Sequence, residues 1–218
     1  MSRSPAPYGM LLDRGLTLEQ LDLAYDIARE DPDPKTNRKR LTMGLRDLVS
    51  EQEAEGKTKK CLTRVWLNPP PDSAEMIAWA RSQAAPPSLR PVLHLGALLA
   101  TFPFVGHVGK VVGQHFQTEG SVETSAVRRE VRRVLGDRSS VEVSARKAYT
   151  TLKNLGALHQ EGQLLLPATE PVAIDDPMLT AWLSHAVLLT RQTESQPLTS
   201  IRGAPELLGV ELPGTPSR

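Results

Sequence analysis

Residues 124–167 read TSAVRREVRRVLGDRSSVEVSARKAYTTLKNLGALHQEGQLLLP. Val127, Val131, Val134 and Leu135 recur at helical spacing, Arg128, Arg129, Arg132 and Arg133 fill the other positions, and Gly136 closes the helix. Arg138-Ser139-Ser140 offers N-caps for a second helix running to Leu155, with Val141, Ala145, Ala148 and Leu152 inward and Gly156 as its stop. Residues 157–160 and 163–166 flank Glu161-Gly162 and read as a β-hairpin ended by Pro167.

Upstream, residues 92–117 supply one or two apolar helices broken at Phe102-Pro103-Phe104. Gly96, Gly106, Gly109 and Gly113 within them suit close helix packing better than helix propensity. Helix, turn, helix, hairpin is the order of a winged helix-turn-helix. Downstream, Asp175-Asp176 before Pro177 reads as an N-cap followed by proline at N1. The helix it opens, to about Leu189, packs on the preceding domain or forms a dimer seam.

The first half is helical by its own signals. Thr17 with Gln20 forms a capping-box pattern ahead of Leu18, Leu21, Tyr25 and Ala28. A second helix is expected from near Thr36, with Leu41, Leu45 and Leu48 inward and Gly56 as its stop. A third is expected over residues 58–66, and Asp72 with Glu75 reads as another capping box. A proline-rich stretch from Pro69 to Pro91 separates the two halves, and the boundary is expected near Ala84 to Ser88. The expected fold is mainly α: an N-terminal helical domain over 1–85, a winged helix-turn-helix domain with a short β-hairpin wing and packing helix over 86–190, and a C-terminal tail over 191–218.

The chain has 218 residues, 26 Lys plus Arg against 25 Asp plus Glu, and a net charge of +1. That balance hides two basic segments. Residues 35–64 hold 9 basic and 4 acidic residues and residues 128–153 hold 8 and 3, so each carries +5 between acidic ends. A major groove of about 12 Å admits one helix, whose cations donate to guanine edges while hydroxyls and amides reach phosphates or adenine. On that basis Arg146, Lys147 and Thr150 are expected to face bases, with Ser144 on the same helix. Lys153, Asn154, Ser139, Ser140, Arg128, Arg132 and Arg133 would hold the backbone, His159 (with Gln160) the wing, and Arg38, Lys39, Arg40, Lys59 and Lys60 a second basic surface. Tyr149 has the size of a packing residue.

The layout of residues 92–185 resembles the BrxA family of BREX phage-defence systems. The resemblance rests on Phe104-Val105, on Val111-Val112-Gly113-Gln114-His115-Phe116, on the helix Ser144-Ala145-Arg146-Lys147-Ala148-Tyr149-Thr150-Thr151-Leu152, and on the exit Leu155-Gly156-Ala157-Leu158. It implies a two-domain, mainly helical DNA-binding protein working beside other defence proteins. The sequence departs from that pattern in its proline-rich middle and in its tail after Thr190.

Catalytic chemistry finds little support. His94, His107, His115, His159 and His185 show no metal-ligand spacing, so no catalytic residue, metal or cofactor is expected. Gly56-Lys57-Thr58 ends like a phosphate-binding loop, but the first glycine that loop needs falls on Glu51. A lone Cys61 forms no internal disulfide or thiolate cage. No run of residues suits a membrane span and Met1–Pro5 does not open a secretory signal, so a cytoplasmic protein without a membrane partner is expected. The expected partner is double-stranded DNA, with other defence proteins and a homodimer as further possibilities. Residue types alone leave open a transcription repressor, a protein-protein adaptor that docks through the winged helix, and structured RNA as the ligand.

Overall fold

A computed structural model describes residues 10–31 and 33–214; the parts of the expected first domain and tail at residues 1–9 and 215–218, and Pro32, lie outside them. The chain is mainly helical with a small amount of sheet. Ten helices and five short strands follow in the order α1 (Leu18–Glu30), α2 (Pro34–Leu48), α3 (Gln52–Leu62), α4 (Ala74–Ser82), α5 (Arg90–Thr101), α6 (Pro103–Glu119), β1 (Val122–Glu123), α7 (Thr124–Leu135), α8 (Ser139–Asn154), β2 (Leu158–Glu161), β3 (Leu164–Pro167), β4 (Val172–Ala173), α9 (Pro177–Arg191), α10 (Leu198–Arg202) and β5 (Val210–Glu211) among the described residues.

In the first half, helix α1 begins at the expected capping box: the Thr17 hydroxyl accepts from the Gln20 amide and the Gln20 side chain accepts from the Thr17 amide. Helix α2 starts earlier than expected, because Asp33 caps it and Pro34 occupies its first turn. Gly56 does not end α2. The chain leaves that helix at Val49 and Gly56 lies inside α3, where one glycine is tolerated at a cost of about 1 kcal/mol. Helix α3 also runs from Gln52 instead of residue 58, and a π-helical turn, Thr63–Leu67, extends it to the Asn68 amide on the Thr63 carbonyl. Leu48 is partly exposed because the helix ends there. Asp72 and Glu75 make no capping box, since a 3-10 turn at Pro71–Ser73 delays the start of α4.

In the second half, α5 and α6 are two helices that meet at 115° across Phe102-Pro103. No single helix among the described residues is long and apolar enough to cross a membrane. Helix α9 packs across both through glycines. A methyl at Gly96 would overlap the Trp182 ring, and one at Gly106 would overlap Thr190. Trp182 is fixed in turn by its Nε1–H donating to the Met76 carbonyl at 2.8 Å. The apolar face of α9, Leu179, Trp182, Leu183, Ala186 and Val187, is therefore buried inside the chain. Asp176 caps it as expected, accepting from Met178 and Leu179 amides at 2.7 and 3.1 Å.

The hairpin β2–β3 forms with Leu158 opposite Pro167 and Glu161 opposite Leu164. Gly162, at φ +57°, makes the turn. Strand β1, two residues that no periodicity could reveal, adds to the far side of β3, so the antiparallel sheet runs β1-β3-β2. Residues 90–167 thus order as helix, helix, strand, helix, helix, hairpin. Residues 191–214 pack on this unit: β5 pairs in parallel with β4, and Leu207, Leu208 and Leu212 are buried. Glu206, fully buried, accepts two 2.9 Å bonds from Arg191. The buried apolar residues of both halves form one cluster across the proline-rich boundary. Arg90 on α5 reaches Asp26 on α1 through two 3.0 Å bonds, and buried His94 meets Asp22 at 2.9 Å.

Candidate nucleic-acid interface

Helix α8 has two faces with different partners. Its inward face buries Val141, Ala145, Ala148, Tyr149 and Leu152, and Ser144 with them. The expectation that Ser144 faces DNA is corrected: it falls three and four residues from Val141 and Ala148, on the packed stripe. Tyr149 is a packing residue, and burial pushes its hydroxyl pKa up. The outward face exposes Ser139, Val143, Arg146 and Lys153, at steps of four, three and seven residues, with half-buried Thr150 between the last two.

One edge of α8 is occupied by the chain itself. The Lys147 ammonium donates to the Asp13 carbonyl at 2.6 Å, the Leu16 amide donates to Thr151 Oγ1 at 3.0 Å, and Asn154 Nδ2 donates to the Leu16 carbonyl at 2.9 Å. Gly15 lies against Thr150, so that a Cβ on it would stand 3.6 Å from Thr150 Cγ2. Lys147 and Thr150 therefore have less freedom than the expected base-reading role needs, and Asn154 less than the expected backbone contact needs. Leu12 and Leu16, both fully buried, anchor the loop at its two ends.

The same loop touches α3. Lys60 Nζ lies 3.0 Å from Asp13 Oδ2, and the buried Cys61 thiol sits against the Asp13 and Arg14 backbone, with burial raising its pKa. Lys60 and Lys147, 87 positions apart, thus converge on one residue. Arg14, next to Asp13 in the same loop, is exposed. Beyond Lys60, α2 and α3 enclose a groove of about 630 Å³ lined by Arg38, Lys39, Met43, Gly56, Lys59 and Lys60 among others.

Other expected contacts are distributed differently. Arg128 reaches Glu142 at 3.4 Å; Arg132 pairs with Asp137 and stands 3.8 Å from Glu142. Both thereby tie α7 to α8. Arg129 and Arg133, one turn apart, are exposed on α7, as are Ser139 and Ser140 at the start of α8, where neither caps the helix. Val134 is also exposed, because α7 ends beside it. His159 meets the Pro167 carbonyl across the hairpin at 2.8 Å, and Arg40 is paired with Glu30.

The residues missed in the sequence are Asp13, Arg14 and Gly15. Their signal was a charged pair and a glycine framed by Leu12 and Leu16, which fixes both ends of a short loop. Among the described residues no group of three or more His, Cys, Asp or Glu is arranged to hold a metal. No protein family, curated protein or solved structure matches this chain.

Proposed function

We propose that this protein binds duplex DNA without catalysing a reaction, using residues 90–167 as a winged helix-turn-helix whose recognition helix is α8. The element order and the β1-β3-β2 sheet support the winged-helix reading. The observation that carries the DNA reading is the convergence of Lys60 and Lys147 on Asp13, because it joins two basic segments distant in sequence. The joined surface takes in exposed Arg146 and Lys153 of α8, exposed Arg14 of the loop, Lys60, and the cations lining the groove between α2 and α3. A membrane surface or an acidic protein would also meet such charge, but the outward stripe of α8 has the width and helix geometry of a groove reader. Work within a phage-defence complex is the context that the resemblance to the BrxA family suggests.

A salt-titrated binding assay on random duplex DNA tests this. If Arg14, Arg146, Lys147 and Lys153 neutralise about four phosphates while Lys60 stays paired with Asp13, affinity falls about 150-fold between 50 and 200 mM salt. With Arg146→Glu and Lys153→Glu together, about two contacts remain and the fall shrinks to about 12-fold. A flat salt response of the unaltered protein refutes the reading.

A further inference from the structure

Resting on the duplex-DNA reading above, we infer that Val143 and Arg146 form a base-reading pair that selects a thymine, through its C5 methyl group, next to a guanine. The outward stripe of α8 leaves few groups for base edges. Lys147 is held by the Asp13 carbonyl, Thr150 is packed against Gly15, and Asn154 is held by the Leu16 carbonyl. Glu142, the one acid on the helix, is drawn back to Arg128 and Arg132 of α7, which removes the group that would accept from cytosine. Ser139 lies in the first turn and Lys153 seven residues beyond Arg146, where they suit the backbone on either side.

What remains between them is a cation and an exposed valine. Val143 is 38% exposed, and a β-branched side chain brings the helix no advantage there. Three helical residues rise about 4.5 Å, close to the step of about 3.4 Å between stacked base pairs, so Val143 and Arg146 address neighbouring pairs. The guanidinium suits the two guanine acceptors, and an apolar branched group suits the thymine methyl. Both lie in the major groove, so one helix placement satisfies both.

The experiment selects bound duplexes from a randomised pool with the unaltered protein. It then resynthesises the selected duplex with deoxyuridine, which lacks only the methyl, at each thymine in turn. One thymine beside a guanine is expected to lose about fourfold in affinity on replacement, the amount one buried methyl group gives. Val143→Ala should bind the two duplexes equally, and 5-methylcytosine at that position should bind the unaltered protein more tightly than cytosine. The deoxyuridine comparison needs no variant, so misfolding cannot imitate it. Binding without any selected sequence, or a selected sequence indifferent to every thymine methyl, overturns the base-reading pair and leaves duplex binding standing. No binding to any duplex overturns both.

Discussion

Asp13 is an acid placed where two cations meet, and on the proposed duplex-binding reading its replacement with asparagine should tighten binding. The Asp13→Asn change keeps the backbone carbonyl that accepts from Lys147 and keeps a side-chain oxygen near Lys60, while removing one negative charge from the middle of the basic surface. The Lys60 side chain is 58% exposed and that of Asp13 39%, so the pair is solvated and its loss costs the fold under about 1 kcal/mol. Freed of its partner, Lys60 can neutralise one more phosphate, which steepens the salt slope by about 0.9. Worked from a 1 M reference, one such contact is worth about 15-fold at 50 mM salt and about fourfold at 200 mM. Fluorescence anisotropy with a labelled random duplex at four salt concentrations measures both slope and affinity. A gain of binding cannot arise from misfolding. Unchanged affinity with an unchanged slope would show that Asp13, and with it Lys60, lies outside the proposed duplex-binding surface.

Three further outcomes concern the scaffold. Gly96→Ala should lower the urea midpoint by the equivalent of about 1–3 kcal/mol, because the added methyl meets a Trp182 ring that its bond to the Met76 carbonyl prevents from retreating. Glu206→Ala leaves the Arg191 guanidinium without its fully buried carboxylate partner, and should destabilise by about 3 kcal/mol in the same measurement. His115 is bonded to Glu130 of α7 at 2.8 Å and to Glu119 of α6 at 2.9 Å, and these carboxylates, Glu130 foremost, raise its pKa above the usual 6.5 against the opposing effect of burial. A raised folded pKa means that the stabilisation is fully present below pH 6.5 and is lost as the pH climbs through the folded value. The melting temperature of His115→Gln should therefore fall furthest below that of the unaltered protein near pH 5.5 and approach it at pH 8.5; an equal deficit at both pH values would refute the assignment.

Local signals were enough wherever a few neighbouring residues decide the outcome. Thr17 with Gln20, Asp176 with Pro177, the break at Pro103 and the Gly162 turn were all legible, because capping and turn formation satisfy backbone groups within four residues. Gly56 misled for the same reason: glycine favours a helix stop by itself, yet Glu53–Lys57 and buried Ala54, Thr58 and Cys61 hold the helix on both sides of it. The small residues on α5 and α6 announced close packing, but only α9 lying across them showed what approaches.

For the candidate site, the sequence by itself determined which helix carries the basic stripe, since the spacing of Ser139, Arg146 and Lys153 against Val141, Ala145, Ala148 and Leu152 follows from 3.6 residues per turn. It could not determine which members of that helix stay free. That was decided by the tertiary structure, in which a loop anchored by Leu12 and Leu16 takes up Lys147 and Asn154 and brings Lys60 beside them. Periodicity reports which way a side chain points from its own helix. What waits there depends on apolar burial that closes loops more than a hundred residues long, and no local pattern records it.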